Sequence, residues 1–248
     1  MKILICGLGS IGSRHTQNLL NLGFKNLILV TSKKIKNRKF KKLKKYNSLD
    51  EALNEKPELA FICNSTHLHA KSALNCMKKN VNVFIEKPIG NKKKELDQLL
   101  SFTQKTKIKS FVGYMMRFHP AISKIKDIIK NNSIGEIFHF SSYWGEYLPN
   151  WHKNENFKKS YAANESMGGG PALTLSHELD LASYLFGNPT KVEKYDNGIN
   201  YLKINSRNVV DFHASFKKNI SGFIHLDYLQ ILPHRTLMII GTKGKIFF

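Results

Sequence analysis

Three separated stretches of the chain carry residues that suit binding and chemistry. The first is a glycine-rich turn at 7–12, Gly-Leu-Gly-Ser-Ile-Gly, directly after an apolar run at 3–6. Glycines allow a tight turn there, and the helix that follows points its positive end at an anion such as a pyrophosphate. We expect a dinucleotide to bind at Gly7, Gly9, Ser10, Ile11 and Gly12.

The second stretch is Glu86-Lys87-Pro88, which follows an apolar run at 81–85. Ligands of parallel sheets gather at the carboxyl ends of strands, so Lys87 is placed to offer an ammonium group to a substrate oxygen. Pro88 has no amide donor and fixes the turn. In a chain so rich in lysine, a solvated surface lysine is the competing interpretation.

The third stretch begins with three glycines at 168–170 and contains a histidine. We expect a helix that runs from these glycines to Phe186, on which His177, Asp180 and Tyr184 share one face. A lone helical histidine is usually structural. A histidine with a carboxylate one turn away is a better candidate for a general base.

In the first hundred or so residues, short apolar runs alternate with longer segments of helical periodicity. The strands and helices that these patterns predict must position the groups described above. Helical periodicity occurs at 10–22 and 91–104, and Ser48 with Glu51 has capping-box spacing. Short apolar runs lie at 3–6, 27–30, 59–63, 81–85 and 108–113. Apolar strands that alternate with helices predict a parallel sheet covered on both faces.

The pattern changes after residue 120. A helix is expected at 121–131, and strict alternation at 210–216 and 224–228 predicts an antiparallel hairpin with one apolar and one polar face. The prediction is therefore an α/β chain with two domains. A dinucleotide-binding domain spans 1–118, and an α+β domain with an open, largely antiparallel sheet spans 119–248.

The end of the predicted second strand bears on the choice of cofactor. It is followed by Thr31-Ser32-Lys33-Lys34, without a carboxylate. An acidic residue there would bind the ribose 2′-hydroxyl and repel a 2′-phosphate, whereas hydroxyls and lysines suit a phosphate. We therefore favour NADP over NAD, with Thr31, Ser32 and Lys33 in contact. NAD remains the alternative because these lysines could equally be solvated.

The formal charge of +21 raises the question of a nucleic-acid partner. Only five of the 39 basic residues are arginines, and no zinc pattern or nucleic-acid motif accompanies the charge. The densest basic cluster, at 33–46, has apolar residues at roughly helical spacing and predicts an amphipathic surface helix. We expect no nucleic-acid partner.

The cysteines, the hydropathy and the histidines of the chain indicate its cellular compartment and exclude some partners. Three cysteines cannot form a paired framework, which favours a reducing cytoplasm. No stretch approaches the roughly 18 apolar residues of a membrane helix, so we expect no membrane partner. The histidines at 67 and 69 have no flanking acidic or cysteine residues, so no metal site is expected.

Six motifs stand in a characteristic order along the chain: GLGSIG at 7–12, NSTHLHA at 64–70, EKP at 86–88, GYMMRFHP at 113–120, GGG…HELD at 168–180 and GTKG at 241–244. With these motifs the chain resembles the glucose–fructose oxidoreductase/inositol dehydrogenase/rhizopine catabolism (Gfo/Idh/MocA) family. The resemblance implies a Rossmann domain, an open-faced second domain, and hydride transfer at a sugar or polyol carbinol with Lys87 and His177 in the active site.

The same resemblance extends the candidate site. Asn64, Ser65, Thr66 and His69 follow the predicted strand at 59–63 and are expected near the cofactor, together with Glu86 and Lys87. Among substrate contacts, Arg117 is expected to meet a carboxylate or phosphate, with a structural ion pair as an equal alternative. Trp151 and His152 lie in an aromatic-rich loop that forms either a lid or an ordinary packed loop.

Two departures from the family pattern set the rival hypotheses. Family members often carry an Asp four residues before the active-site His, where this chain has Leu173 beside Thr174, a further expected substrate contact. Many members are also longer, so a shortened second domain is one interpretation. The leading hypothesis is an NAD(P)-dependent, homo-oligomeric oxidoreductase acting on a sugar, polyol or nucleotide-linked sugar. The alternative is a non-catalytic descendant that binds a dinucleotide or sugar as a sensor or partner.

Overall fold

A computed structural model describes residues 1–32, 34–35, 37–151, 155–196 and 198–248. By its internal contacts the chain forms two compact units, Met1–Gly113 and Tyr114–Phe248. Each unit has its own six-stranded sheet. The expected boundary at 118 falls in a short 3-10 turn at Met115–Phe118, just inside the second unit.

The first unit is a doubly wound parallel sheet with the strand order β3-β2-β1-β4-β5-β6. All of its strand pairs are parallel, as the alternation of apolar runs and helices predicted. The strands are β1 (Ile3–Cys6), β2 (Leu27–Val30), β3 (Lys44–Tyr46), β4 (Leu59–Ile62), β5 (Asn82–Ile85) and β6 (Ser110–Val112). The helices are α1 (Ser10–Asn21), α2 (Leu49–Leu53), α3 (Thr66–Lys78) and α4 (Lys93–Gln104).

Burial explains why the central strands are continuously apolar. All four residues of β1 and of β2 are buried, because helices or loops cover both faces of the sheet. Strand order reverses between β1 and β4, and ligands of such sheets bind in the crevice outside the strand ends at that point. The turn after β1 and the loop after β4 therefore flank the expected cofactor site.

The predicted amphipathic helix at 33–46 is wrong. Its described residues form a 3-10 turn at Phe40–Lys42 and then the edge strand β3, which pairs in parallel with β2. Phe40 is 3% exposed and anchors the turn in the core. Lysines on an edge strand protect it from further pairing, which a helical interpretation of the same spacing does not reveal.

The second unit is a mixed, mostly antiparallel sheet with the order β12-β11-β7-β10-β9-β8, in which only the β7–β10 pair is parallel. The strands are β7 (Ile137–Gly145), β8 (Lys191–Tyr195), β9 (Val209–Phe216), β10 (Ile220–Asp227), β11 (His234–Gly241) and β12 (Gly244–Phe247). The helices are α5 (Pro120–Lys130), α6 (Pro171–Thr174) and α7 (His177–Phe186).

The predicted hairpin is present as β9 and β10. Phe212 lies opposite Ile224, and both belong to the core of this unit. The opposite face carries His213 and His225, as the alternation predicted. Asp227 is an exception on that polar face, because it is 1% exposed.

The helix expected from the glycines to Phe186 is divided into α6 and α7. Leu175 ends α6 outside helical geometry, with φ −101° and ψ 25°. His177 is therefore the first residue of α7, and Gly187 ends that helix. Among the described residues no helix is long and apolar enough to cross a membrane.

Candidate functional site

In the glycine turn after β1, two glycines lie where a Cβ would clash with the backbone. Gly7 has φ +96°, and a Cβ there would lie 2.5 Å from the amide nitrogen of Asn64. A Cβ on Gly12 would lie 2.0 Å from the carbonyl oxygen of Gly7. Both glycines are therefore required for the conformation of the turn, whether or not a ligand binds there.

Gly9 differs from both, because a Cβ there would meet nothing within 4 Å. It precedes α1 as the capping residue, and no side chain caps the helix. The first turn of α1 contains no acidic residue, so the positive end of the helix dipole is not neutralised locally. Open space at Gly9 and this helix end fit the pyrophosphate of a dinucleotide, with Ser10, Ile11 and Gly12 in the first turn.

A cavity of about 570 Å³ lies beside this turn. Its lining includes two cations, Arg14 of α1 and Lys34 of the segment after β2. The motif analysis did not single out Arg14, although it lies one helical turn after Ser10. Of the residues expected at the ribose, Thr31 is buried, Ser32 is exposed, and Lys33 lies outside the described residues.

Glu86 directly follows β5, in front of a cis Lys87–Pro88 peptide, and its carboxylate has two partners. His15 Nε2 lies 2.7 Å from Glu86 Oε1, and the backbone amide of Lys87 donates to Glu86 Oε2 over 3.2 Å. The carboxylate is therefore engaged within the turn that carries Lys87, and His15 was not identified from the sequence.

His69 also contacts this turn. Its Nδ1 lies 2.7 Å from the carbonyl oxygen of Pro88, and its Nε2 lies 2.8 Å from that of Asn64. Burial lowers the pKa of His69, and the hydrogen bonds to the two carbonyls oppose that shift. Both ring nitrogens thus face backbone atoms. Ser65 occupies the N-cap position of α3 without a side-chain capping hydrogen bond, and Thr66 is buried at the first position of the helix.

In the second unit, His177 lies between two aromatic rings. The Tyr114 ring is 5.7 Å away in an edge arrangement, and the Trp144 ring is 5.9 Å away. Burial raises the pKa of the Tyr114 phenol, which keeps it neutral. Two aromatic rings restrict the orientation of the His177 imidazole.

The residue after His177 is a buried carboxylate. Glu178 is 1% exposed, accepts a hydrogen bond from Ser142 over 2.5 Å, and lies 2.5 Å from Arg235 Nη2. Burial raises the pKa of Glu178, and Arg235 and Ser142 oppose that rise. The Arg235 guanidinium also lies 4.3 Å from the centre of the Trp144 ring. The start of α7 is thereby tied to β7 and β11.

The remaining expected substrate contacts have partners within the second unit. Arg117 forms an ion pair with Asp180, which was the alternative left open by the sequence. The Thr174 hydroxyl donates to Gly170 over 2.9 Å and lies 2.5 Å from the Tyr228 hydroxyl.

The aromatic-rich loop also packs against its own unit. The ring of Trp151 meets that of Tyr228 edge to face at 5.5 Å, and Leu148 is 1% exposed. These contacts favour the packed loop over the lid. His152 lies outside the described residues.

Sequence profiles decide the family. The profile described as "Oxidoreductase family, NAD-binding Rossmann fold" matches residues 1–114, and the GFO/IDH/MocA C-terminal domain matches residues 122–247. The chain belongs to the Gfo/Idh/MocA family. This confirms the resemblance, the oxidoreductase assignment and the NAD(P)-binding Rossmann domain that it implied.

Relatives and solved structures agree with this Gfo/Idh/MocA assignment. The chain is 27% identical over 264 residues to myo-inositol 2-dehydrogenase of Thermotoga maritima, an alignment that covers 100% of this chain and 75% of the relative. It is 29% identical over 128 residues to levoglucosan dehydrogenase of Pseudarthrobacter phenanthrenivorans. That alignment covers 51% of this chain and 32% of the relative.

The fold matches two solved inositol dehydrogenases. The myo-inositol 2-dehydrogenase of Lactobacillus plantarum gives a TM-score of 0.87 at 21% identity, covering 100% of this chain and 76% of that one. The scyllo-inositol dehydrogenase of Lactobacillus casei, solved with NAD(H) and scyllo-inositol, gives a TM-score of 0.83 at 20% identity. The match covers 100% of this chain and 76% of that one. These matches confirm the predicted fold class, a parallel sheet followed by an open, mostly antiparallel one.

Proposed function

We propose that this protein oxidises a CH–OH group of a polyol or sugar, or reduces the corresponding carbonyl, with a nicotinamide dinucleotide. The observation that carries the proposal is the open space at Gly9, at the start of α1, in a sheet in which Lys87 lies two residues after the end of β5. Both lie at the carboxyl ends of parallel strands, where such sheets bind their ligands. Inositol and levoglucosan dehydrogenases among the relatives support a polyol or sugar ring as the substrate.

Each of the two candidate catalytic residues has a separate task. The bound nicotinamide supplies a hydride acceptor. The ammonium of Lys87 stabilises negative charge on the carbinol oxygen, and the imidazole of His177 takes the carbinol proton. An imidazole has an ordinary pKa of about 6.5, so it can accept and return this proton near neutral pH.

NADP is the proposed cofactor. Arg14 and Lys34 line the cavity beside the glycine turn, together with the hydroxyl groups of Ser10 and Ser13. The described residues at the end of β2 are Thr31 and Ser32, neither of which is acidic. Cations and hydroxyls suit the 2′-phosphate of NADP, and a carboxylate would repel it.

We also propose a cytoplasmic homo-oligomer. Cys6, Cys63 and Cys76 are all free and buried, which supports a reducing compartment. On the uncovered face of the second sheet, Phe247 and Tyr195 are 72% and 50% exposed. Sedimentation of the purified protein tests the oligomer, and a monomer at all concentrations contradicts it.

The decisive experiment measures cofactor and turnover together. The purified protein is titrated with NADP⁺ and NAD⁺, and then assayed at 340 nm with myo-inositol, scyllo-inositol, levoglucosan and a broad set of sugars. Tight binding and turnover of a polyol or sugar support the proposal. Binding without turnover favours the non-catalytic descendant, to which Leu173 at the expected Asp position also points. Failure to bind either dinucleotide contradicts the oxidoreductase and the dinucleotide-binding form of the alternative.

A further inference from the structure

Two histidines from different helices hold the residues on either side of Lys87. His15 of α1 contacts the side chain of Glu86 at 2.7 Å. His69 of α3 contacts the carbonyl oxygen of Pro88, also at 2.7 Å. Lys87 therefore lies in a turn whose preceding and following residues are both fixed from outside the strand.

The His15 contact reaches Lys87 through one carboxylate. Glu86 accepts from the Lys87 amide through Oε2 while Oε1 faces His15, and the whole residue is 9% exposed. The His15 ring packs 5.2 Å from both Phe61 and Phe84. In this apolar setting a charge-assisted hydrogen bond is stronger than in water. The direction of the Glu86 carboxylate, and of the Lys87 amide, thus depends on His15.

The His69 contact joins two loops at the same edge of the sheet. Its second nitrogen lies 2.8 Å from the carbonyl oxygen of Asn64, in the loop after β4. A carbonyl oxygen only accepts hydrogen bonds, so the neutral His69 imidazole donates its one N–H to one of these carbonyls, and only the imidazolium donates to both. In either form the ring lies between the loop at Asn64 and the turn at Pro88. His69 is 2% exposed, and both of its ring nitrogens face these two carbonyl oxygens.

We infer that His15 and His69 are positioning residues that fix the Lys87 ammonium for the reaction. The use of Lys87 in catalysis rests on the function proposed above, whereas the two histidine contacts are observed independently of it. Misplacement of a catalytic group by about 1 Å can cost on the order of a hundredfold in rate. The two histidines act on that placement without touching the substrate.

Hydrogen exchange of the full chain tests the contacts without any substrate. His15→Phe and His69→Phe keep a ring and remove the polar nitrogens, whereas His15→Gln keeps one N–H for Glu86. We expect both Phe variants to raise amide exchange in the peptide spanning 84–91 by about tenfold or more, and His15→Gln to stay near the wild type. Unchanged exchange there in both Phe variants overturns the inference, as does an equal rise throughout the first unit.

Kinetics with the substrate identified by the turnover assay provides a second readout. We expect each Phe variant to lower kcat by about tenfold with the dissociation constant of the cofactor within about threefold, and His15→Gln to restore kcat. In a Lys87→Met background, the Phe substitutions should lower kcat no further. An equal loss in both backgrounds overturns the positioning role. If Lys87→Met itself retains full activity, the proposed function fails, and the exchange experiment still decides whether the turn is held by the histidines.

Discussion

Arg117 donates two hydrogen bonds to the carboxylate of Asp180, from Nε over 2.9 Å and from Nη2 over 2.6 Å. The spacing on α7 suggested Asp180 as the carboxylate that accompanies His177. The structure instead pairs Asp180 with the 3-10 turn at Met115–Phe118, which begins the second unit. The contact thus joins that turn to α7.

We expect the Arg117–Asp180 pair to contribute to stability. The Asp180 side chain is 6% exposed, so Arg117→Met leaves a buried carboxylate without its main partner. The free energy of unfolding in urea should fall by about 1–3 kcal/mol, and Arg117→Met with Asp180→Asn should lose less than the two changes separately. Unchanged stability with a large rise in KM would instead assign Arg117 to the substrate.

Substitutions at two glycines of the first turn should have different effects, one on cofactor binding and the other on folding. Gly9→Val introduces a side chain into open space, so the protein should fold with a near wild-type Tm and bind NADP⁺ at least about tenfold more weakly. Gly12→Val places a Cβ against Gly7, so it should lower the Tm and the yield of folded protein. Calorimetry and dinucleotide titration measure both. Full cofactor affinity in folded Gly9→Val would remove the assignment of this turn.

Charge near the ribose should determine the cofactor preference. Ser32→Asp places a carboxylate at the end of β2 and should shift the ratio of NADP to NAD affinity toward NAD by about tenfold or more. Arg14→Gln should weaken NADP binding while leaving NAD binding near the wild-type value. Lys25→Gln, an exposed cation of the same unit, serves as the matched control. A wild type that already prefers NAD contradicts the assignment of the cavity.

Catalysis should depend on Lys87 and His177. General acid–base groups contribute about 10²–10⁴-fold, so Lys87→Met and His177→Ala should each lower kcat by at least about 10²-fold with little change in cofactor affinity. If both act on one carbinol oxygen, the double variant loses less than the product of the two effects. Lys78→Met, at an exposed position on α3, is the control. Full activity of His177→Ala would show that another group is the base.

His225 should make stability depend on pH. It lies 2.6 Å from Asp211 and 3.1 Å from Asp227, and its ring stacks on Tyr143 at 4.4 Å. Partial burial alone would lower the pKa of His225, but hydrogen bonds to the two carboxylates outweigh it and the pKa is raised. Folding therefore favours the imidazolium, whose stabilisation is complete below the unfolded pKa of about 6.5 and is lost as pH rises through the folded value.

The comparison of the wild type with His225→Gln measures this effect. The difference between their free energies of unfolding in urea should be larger near about pH 6 than near about pH 9. Tyr143 stacks on His225, and His234 meets the other side chain of that pair, Tyr143, edge to face. Tyr143→Phe keeps the stacked ring but removes the hydroxyl that donates to Asp227, so it measures the part of the effect that depends on that hydrogen bond. A difference that is constant across this range would contradict a raised pKa for His225 in the folded protein.

The sequence predicted the elements that depend on local patterns. β1 and β2 have the predicted limits, because both faces of these strands are buried and the apolar runs end where the strands end. The β9–β10 hairpin follows directly from alternation. β3 could not be predicted in this way, since Lys44–Tyr46 becomes a strand only through its pairing with β2.

In the candidate site too, contacts between residues that are distant in the sequence could not be predicted. Motifs single out Lys87 and His177 as candidate residues, but the predicted helix from the glycines to Phe186 did not reveal that α7 begins at His177. The partners of these residues were missed. His15 and Glu86 are 71 positions apart, and Arg235 meets Glu178 across the second sheet, so neither pairing leaves a local signal.

The position of β7 has a consequence for how the protein is made. β7 lies inside the second sheet, with β10 and β11 as its two neighbours, and both are far later in the chain. At a synthesis rate of about 5–20 residues per second, the nascent chain exposes the Phe140 side of β7 for on the order of ten seconds before either neighbour exists. The second sheet therefore cannot assemble on both edges of β7 during synthesis until β10 and β11 have emerged.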